Sequence, residues 1–157
     1  MRTFNGEPWL ERWLCQDAFR RLENLYRTPD FYGLAFRKEN PPIGAVFGRI
    51  EHFYDGDTFQ IEEFWIEQTF QGMGYGSELI QKLKEMLSGT VKSMFLITMH
   101  NPKTIGFYQK NGFTVNEGFC VMHTDLWNIL KKTLTNVPEY AIIKKNMWKS
   151  RGWIYEC

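Results

Sequence analysis

TFQIEEFWIEQTFQGMGYGS, residues 58–77, carries the chain out of a β-rich run and into a glycine-rich turn. Thr58 to Glu67 is dense in β-branched and aromatic residues and reads as a strand. From Gly76, the apolar residues Leu79, Ile80, Leu83 and Leu87 recur at helical spacing until Ser88-Gly89 stops them. A strand that delivers the chain to a glycine turn opening a helix makes an anion site, because unpaired backbone N–H groups and the helix dipole both point outwards. Gly74 and Gly76 let ligand oxygens approach the backbone, Gln71 adds an amide donor and Ser77 a hydroxyl. A nucleotide P-loop needs Gly-Lys-Ser/Thr, which is missing. A dinucleotide fold puts its loop after the first strand, with an acidic residue about 20 positions later. Here the loop comes in mid-chain after a hairpin, and a turn made only for close packing stays open as a reading.

Working outward, Trp9, Trp13, Leu14, Ala18, Leu22 and Leu25 follow Glu7-Pro8 at three- and four-residue spacing, which predicts a helix ending near Thr28-Pro29. Phe31 to Phe36 and Ile43 to Ile50 read as strands separated by turn formers at 38–42, and Tyr54-Asp55-Gly56-Asp57 is the next turn. Downstream, Ser93 to Met99 reads as a buried strand, Pro102 to Asn111-Gly112 as a short capped helix and Phe113 to Met122 as a further strand. The order is helix, three meandering strands, helix, strand, helix, strand: an α/β (α+β) layer with a mixed sheet. We expect one domain over 1–125 and an extension over 126–157, with Leu126 to Leu134 helical and Tyr140 to Lys144 a strand.

The chain of 157 residues is 43% hydrophobic and 24% charged, so it should fold as one sizeable core. A net charge of +1 gives no global field for nucleic acid or an anionic membrane. Cys15, Cys120 and Cys157 have neither disulfide parity nor metal spacing, and they read as small hydrophobes in a reducing compartment. His52, His100 and His123 likewise lack metal-ligand spacing. With no run of about 20 apolar residues and no leader-like apolar region, the expectation is a soluble, cytoplasmic protein.

At Gln71, Gly74 and Gly76 the sequence resembles the GNAT superfamily of acyl-CoA-dependent N-acetyltransferases, whose signature is Gln/Arg-x-x-Gly-x-Gly/Ala between a strand and its helix. The family's second signature, an Asn before a helix ending in Tyr and Gly-Phe, is matched by Asn101, Tyr108 and Gly112-Phe113. The resemblance covers about Phe4 to Thr124 and is nearest to aminoglycoside 6'-N-acetyltransferase-like members. It implies a mixed, mostly antiparallel twisted sheet flanked by helices, with acetyl-CoA as cofactor and a small-molecule amine as acceptor. Gln71, Gly72, Met73, Gly74, Tyr75, Gly76 and Ser77 would hold the diphosphate. The backbone of Trp65 and Ile66 would pair with the pantetheine, Asn101 would touch it, and Tyr108 would face the acetyl sulfur as general acid.

The base is open between Glu62 and Glu63, because some members place an acid where Gln60 stands. A strand's period of two puts only one of the two glutamates on the substrate face unless a bulge intervenes. Glu7, Glu51, Asp55 and Asp57 can gather with them to attract a polycationic amine. The resemblance also implies a first strand for which residues 1–6 leave little room. Tyr140 to Lys144 can replace it, from the same chain or from a second copy in a homodimer; the other reading is a shortened product with a foreign tail. The competing functions are a protein or peptide N-acetyltransferase and an acyl-CoA-binding module without turnover.

Overall fold

A computed structural model describes residues 6, 10–37 and 42–124. Two units divide the chain, Met1–Val115 and Asn116–Cys157. The first holds α1 (Cys15–Tyr26), β1 (Phe31–Phe36), β2 (Gly44–Glu51), β3 (Thr58–Ile66), a 3-10 turn (Gln68–Phe70), α2 (Tyr75–Leu87), β4 (Ser93–Leu96) and α3 (Pro102–Lys110). The sheet runs β1-β2-β3-β4, antiparallel through its first three strands and parallel between β3 and β4. The expected mixed, mostly antiparallel sheet flanked by helices is what forms.

Leu79, Ile80, Leu83 and Leu87 make one apolar stripe on α2, and all are buried. They close over Val46, Ile50, Phe59, Ile61 and Ile66 to form the core, with Leu34, Phe36, Phe64 and Phe107 at its margin. The opposite face of the sheet lies toward α1, where Phe31 packs on Tyr26 and Phe47. No helix among the described residues is long and apolar enough to cross a membrane.

Three expectations are corrected. Among the described residues the first helix begins at Cys15 rather than near Trp9, since Leu10 has φ +51° and Leu14 caps the helix without a side-chain acceptor. Phe113 to Met122 forms no strand: Gly118 N–H donates to Asn116 Oδ1 in a local turn, and Val115, Phe119, Val121 and Met122 are exposed. Cys15 and Cys120 are free and exposed rather than core residues. The helix and strand expected at 126–134 and 140–144, and with them the replacement of a first strand, lie outside the described residues, as do Glu7 and Cys157.

Candidate active site

The register between β2 and β3 slips once: Phe47 faces Glu63, while the next residue, Gly48, faces Ile61. Glu62 is therefore the extra residue of a β-bulge. An added Cβ at Gly48 would lie 1.8 Å from Gln60 O, so this tight passage requires glycine. Before the bulge Phe59 and Ile61 face α2; after it Phe64 and Ile66 do. The extra residue thus turns both Glu62 and Glu63 to the α1 face. Glu63 pairs there with Arg21, and Glu62 lies 3.7 Å from Arg49, which also pairs with Glu51. Burial pushes the Glu63 carboxyl above its ordinary value, outweighing the Arg21 guanidinium that lowers it.

The ladder between β3 and β4 ends at Ile61 with Leu96, whereas β3 continues to Ile66. Beyond that point the two strands part. Glu67 N–H donates to Ile43 O at 2.7 Å, which makes Ala45 and Trp65 a hydrogen-bonded pair by alternation. The backbone of Trp65 is thus engaged with β2, and the backbones of Phe64 and Ile66 turn to the edge where β4 has departed. Ile66 O accepts from Gln71 Nε2 at 2.9 Å. The Gln71 amide expected to serve a ligand therefore braces the strand end against the loop.

Gly72 (φ +79°) and Gly74 (φ +90°, the N-cap of α2) hold left-handed conformations that other residues rarely adopt. A Cβ at either would meet nothing within 4 Å, so the loop faces open space. At Gly76 a Cβ would come within 3.2 Å of the Phe107 ring and 3.3 Å of Phe64, so this glycine serves packing. The helix's own ladder starts with Glu78 N–H on Gly74 O at 3.0 Å, leaving the N–H groups of Gly76 and Ser77 at the open first turn. Met73 is exposed on the loop, and Tyr75 packs inward on Phe36 and Phe70. Unobstructed backbone N–H groups at a helix N-terminus suit an anion such as a diphosphate.

Asn101 caps α3, its Oδ1 accepting from Thr104 N–H at 2.9 Å, with Pro102 next in the chain. Its Nδ2 has no partner among the described residues. Tyr108 sits among Phe64, Phe107 and Phe113, with ring centroids 6.3, 5.2 and 5.6 Å away. Burial pushes its phenol up to about 12. The hydroxyl has no partner among the described residues, yet no buried side-chain polar atom is left unpaired, so it reaches accessible space.

Phe64, Arg21 and Arg49 escaped the sequence reading. The bulge that assigns Phe64 to the open edge has no local signature, and the two arginines meet the glutamates only through tertiary contact. The acidic group expected near the substrate end is already occupied: Asp55 pairs with Lys92, Asp57 with His52 and Glu51 with Arg49.

A family model described as "Acetyltransferase (GNAT) family" matches residues 1–113. None of the curated proteins matches the chain. Among solved structures, an aminoglycoside acetyltransferase from an uncultured soil metagenomic sample is similar with a TM-score of 0.65 and 18% identity, over 80% of this chain and 84% of that one. A transcriptional regulator from Bacillus halodurans C-125 is similar at 0.64 and 17%, over 78% and 88%. Glucosamine-6-phosphate N-acetyltransferase from Arabidopsis thaliana follows at 0.55 and 16%, over 70% and 78%. At these identities the likeness concerns the fold.

Proposed function

The chain belongs to the acetyltransferase (GNAT) family, and on that premise we propose that it transfers an acetyl group from acetyl-CoA to a primary amine of a small molecule. One observation carries the reading. The open edge of β3 has Tyr108 beside Phe64 on one face of the sheet, Glu62 and Glu63 on the other, and the Gln71–Ser77 loop at its end. Backbone N–H groups of the loop and of the first turn of α2 hold the diphosphate. The edge groups of Phe64 align the pantetheine as though it were an added strand, beside the Ile66 carbonyl that Gln71 holds, and Asn101 Nδ2 touches it. Trp65 supports this edge through its pairing with β2.

Acetyl-CoA, when bound, supplies an acetyl group activated as a thioester. Glu63, held above the ordinary carboxylate range, takes a proton from the incoming ammonium so that a neutral amine can attack; Glu62 lies next to it for the same relay. Tyr108 keeps its proton at any working pH. The phenol donates a hydrogen bond to the departing sulfur and stands as the general acid for its proton.

A thermal shift with acetyl-CoA followed by thiol release with a panel of amines tests the reading. A shift and amine-dependent release are expected; no shift at millimolar acetyl-CoA overturns the cofactor assignment. A second reading, an acyl-CoA-binding module without turnover, is favoured by the ion pairs that tie both candidate bases to arginines. A shift with no release on any amine would support it. The aminoglycoside acetyltransferase in the comparisons is an argument for including such polyamines in the panel.

A further inference from the structure

We propose that the open groove between α1 and the outer face of the sheet receives the acceptor, and that it selects a primary amine that also carries a carboxylate or phosphate group. The amine half of this inference rests on the acetyl-transfer reading above. The groove has a volume of about 480 Å³ and is lined by Trp13, Asp17, Arg20, Arg21, Arg49 and Glu62. Asp17, Arg20 and Arg21 lie on one face of α1 at the spacing that makes neighbours on a helix. Glu62 and Arg49 form the floor, next to Glu63.

Donor and acceptor bookkeeping gives the groove its selectivity. Arg20 uses one Nη on Asp17 at 3.1 Å, Arg21 its Nε on Glu63, and Arg49 its Nε on Glu51. Each guanidinium carries five N–H donors, so most of each fork stays open to a ligand. The side chains of Arg20 and Arg21 are 74% and 47% exposed. Asp17, Glu51 and Glu63 each already accept a bond, whereas Glu62 lies 3.7 Å from its arginine, beyond hydrogen-bond length. Spare donors in planar forks suit a carboxylate or phosphate, which they bind through two parallel bonds. The loosely held Glu62 suits the ammonium end. A polycation would meet three guanidinium groups, with acceptor sites to spare only on Asp17 and Glu62 among the lining carboxylates.

Matched amines test the inference: O-phosphoethanolamine against ethanolamine, and glycine against glycinamide, with spermidine as the polycation. In thiol-release assays the anionic member of at least one pair should have the higher kcat/KM, by about tenfold or more, and the two pairs tell phosphate from carboxylate. Arg20→Gln should cut that preference severalfold, and Arg20→Lys should restore part of it. Calorimetric binding of the same compounds without acetyl-CoA reads the groove apart from turnover. Tighter binding of an anionic member, weakened in Arg20→Gln, supports the inference even if no thiol is released, an outcome that would instead sink the acetyl-transfer reading. Equal or better use and binding of ethanolamine, glycinamide or spermidine, or a preference untouched by Arg20→Gln, overturns it.

Discussion

Arg21 and Glu63, 42 residues apart in the chain, meet in an ion pair between α1 and β3 whose carboxyl is only 11% exposed. The pair holds a base where water is scarce, and burial raises its affinity for a proton despite the guanidinium. Glu63→Gln should therefore lower kcat by about 10²–10³ and leave acetyl-CoA affinity within about twofold. The ascending limb of kcat/KM against pH should lie above the ordinary carboxylate value of about 4.3, and Arg21→Gln should move it higher still. A limb that stays in place in Arg21→Gln would refute the assignment.

The same residue bears on stability with a definite sign. A folded pKa above the unfolded one contributes stability at low pH that is lost as pH rises through the folded value. At neutral pH the ionised Glu63 is then a net cost, and Glu63→Gln should melt no lower than the parent at about pH 7. Calorimetry at two pH values checks this.

Tyr108→Phe keeps the ring contacts to Phe64, Phe107 and Phe113 and removes the hydroxyl. We expect kcat to fall about 10–100-fold with the melting temperature nearly unchanged. A difference ultraviolet titration between parent and variant should find the missing phenol still protonated above about pH 11.

Gly74→Ala and Gly76→Ala should fail differently. At Gly74 the positive φ strains an alanine by about 1–2 kcal/mol and the methyl enters the cradle, so acetyl-CoA affinity should suffer along with a loss of a few degrees in melting temperature. At Gly76 the methyl pushes on Phe107 and Phe64, so melting should suffer more than affinity. Equal loss of affinity in both would argue against a cradle centred on Gly74.

His52 Nδ1 lies 3.0 Å from Asp57 and Nε2 3.2 Å from Asp30, tying the ends of three strands together. Ionised carboxylates only accept, so the ring makes both bonds as a donor only when it is protonated. The bond to Asp57, then that to Asp30, raises its pKa. The resulting stability is present below about pH 6.5 and disappears as pH climbs through the folded value. The gap in melting temperature between the parent and His52→Gln should be wider at about pH 6 than at about pH 8.5; an equal gap would contradict it.

Local chemistry made much of the fold readable. The aromatic-rich run at 31–36, the turn at 54–57, the stripe from Leu79 to Leu87 and the Asn101-Pro102 cap each specify their element through neighbouring residues. What stayed hidden depends on distant partners. The shared face of Glu62 and Glu63 comes from a slip that only the pairing with Gly48 reveals. Gln71 has the family's side chain, but its amide is claimed by Ile66 O. Phe113 to Met122 has a strand's composition and lacks a paired neighbour among the described strands, so the Asn116–Gly118 turn prevails.

The parting of β3 and β4 also bears on how the chain assembles and survives. β1, β2 and β3 join through hairpins, whereas β4 meets β3 only after α2 has been laid between them, a closure of about 30 residues. Sequence separation favours early formation of the meander and later closure of the parted edge. On the proposed reading, every group that grips acetyl-CoA lies at that edge or just beyond it. A ligand bound there stabilises the folded chain by mass action, so the amount of this protein that persists in a cell should follow its supply of activated acetyl groups.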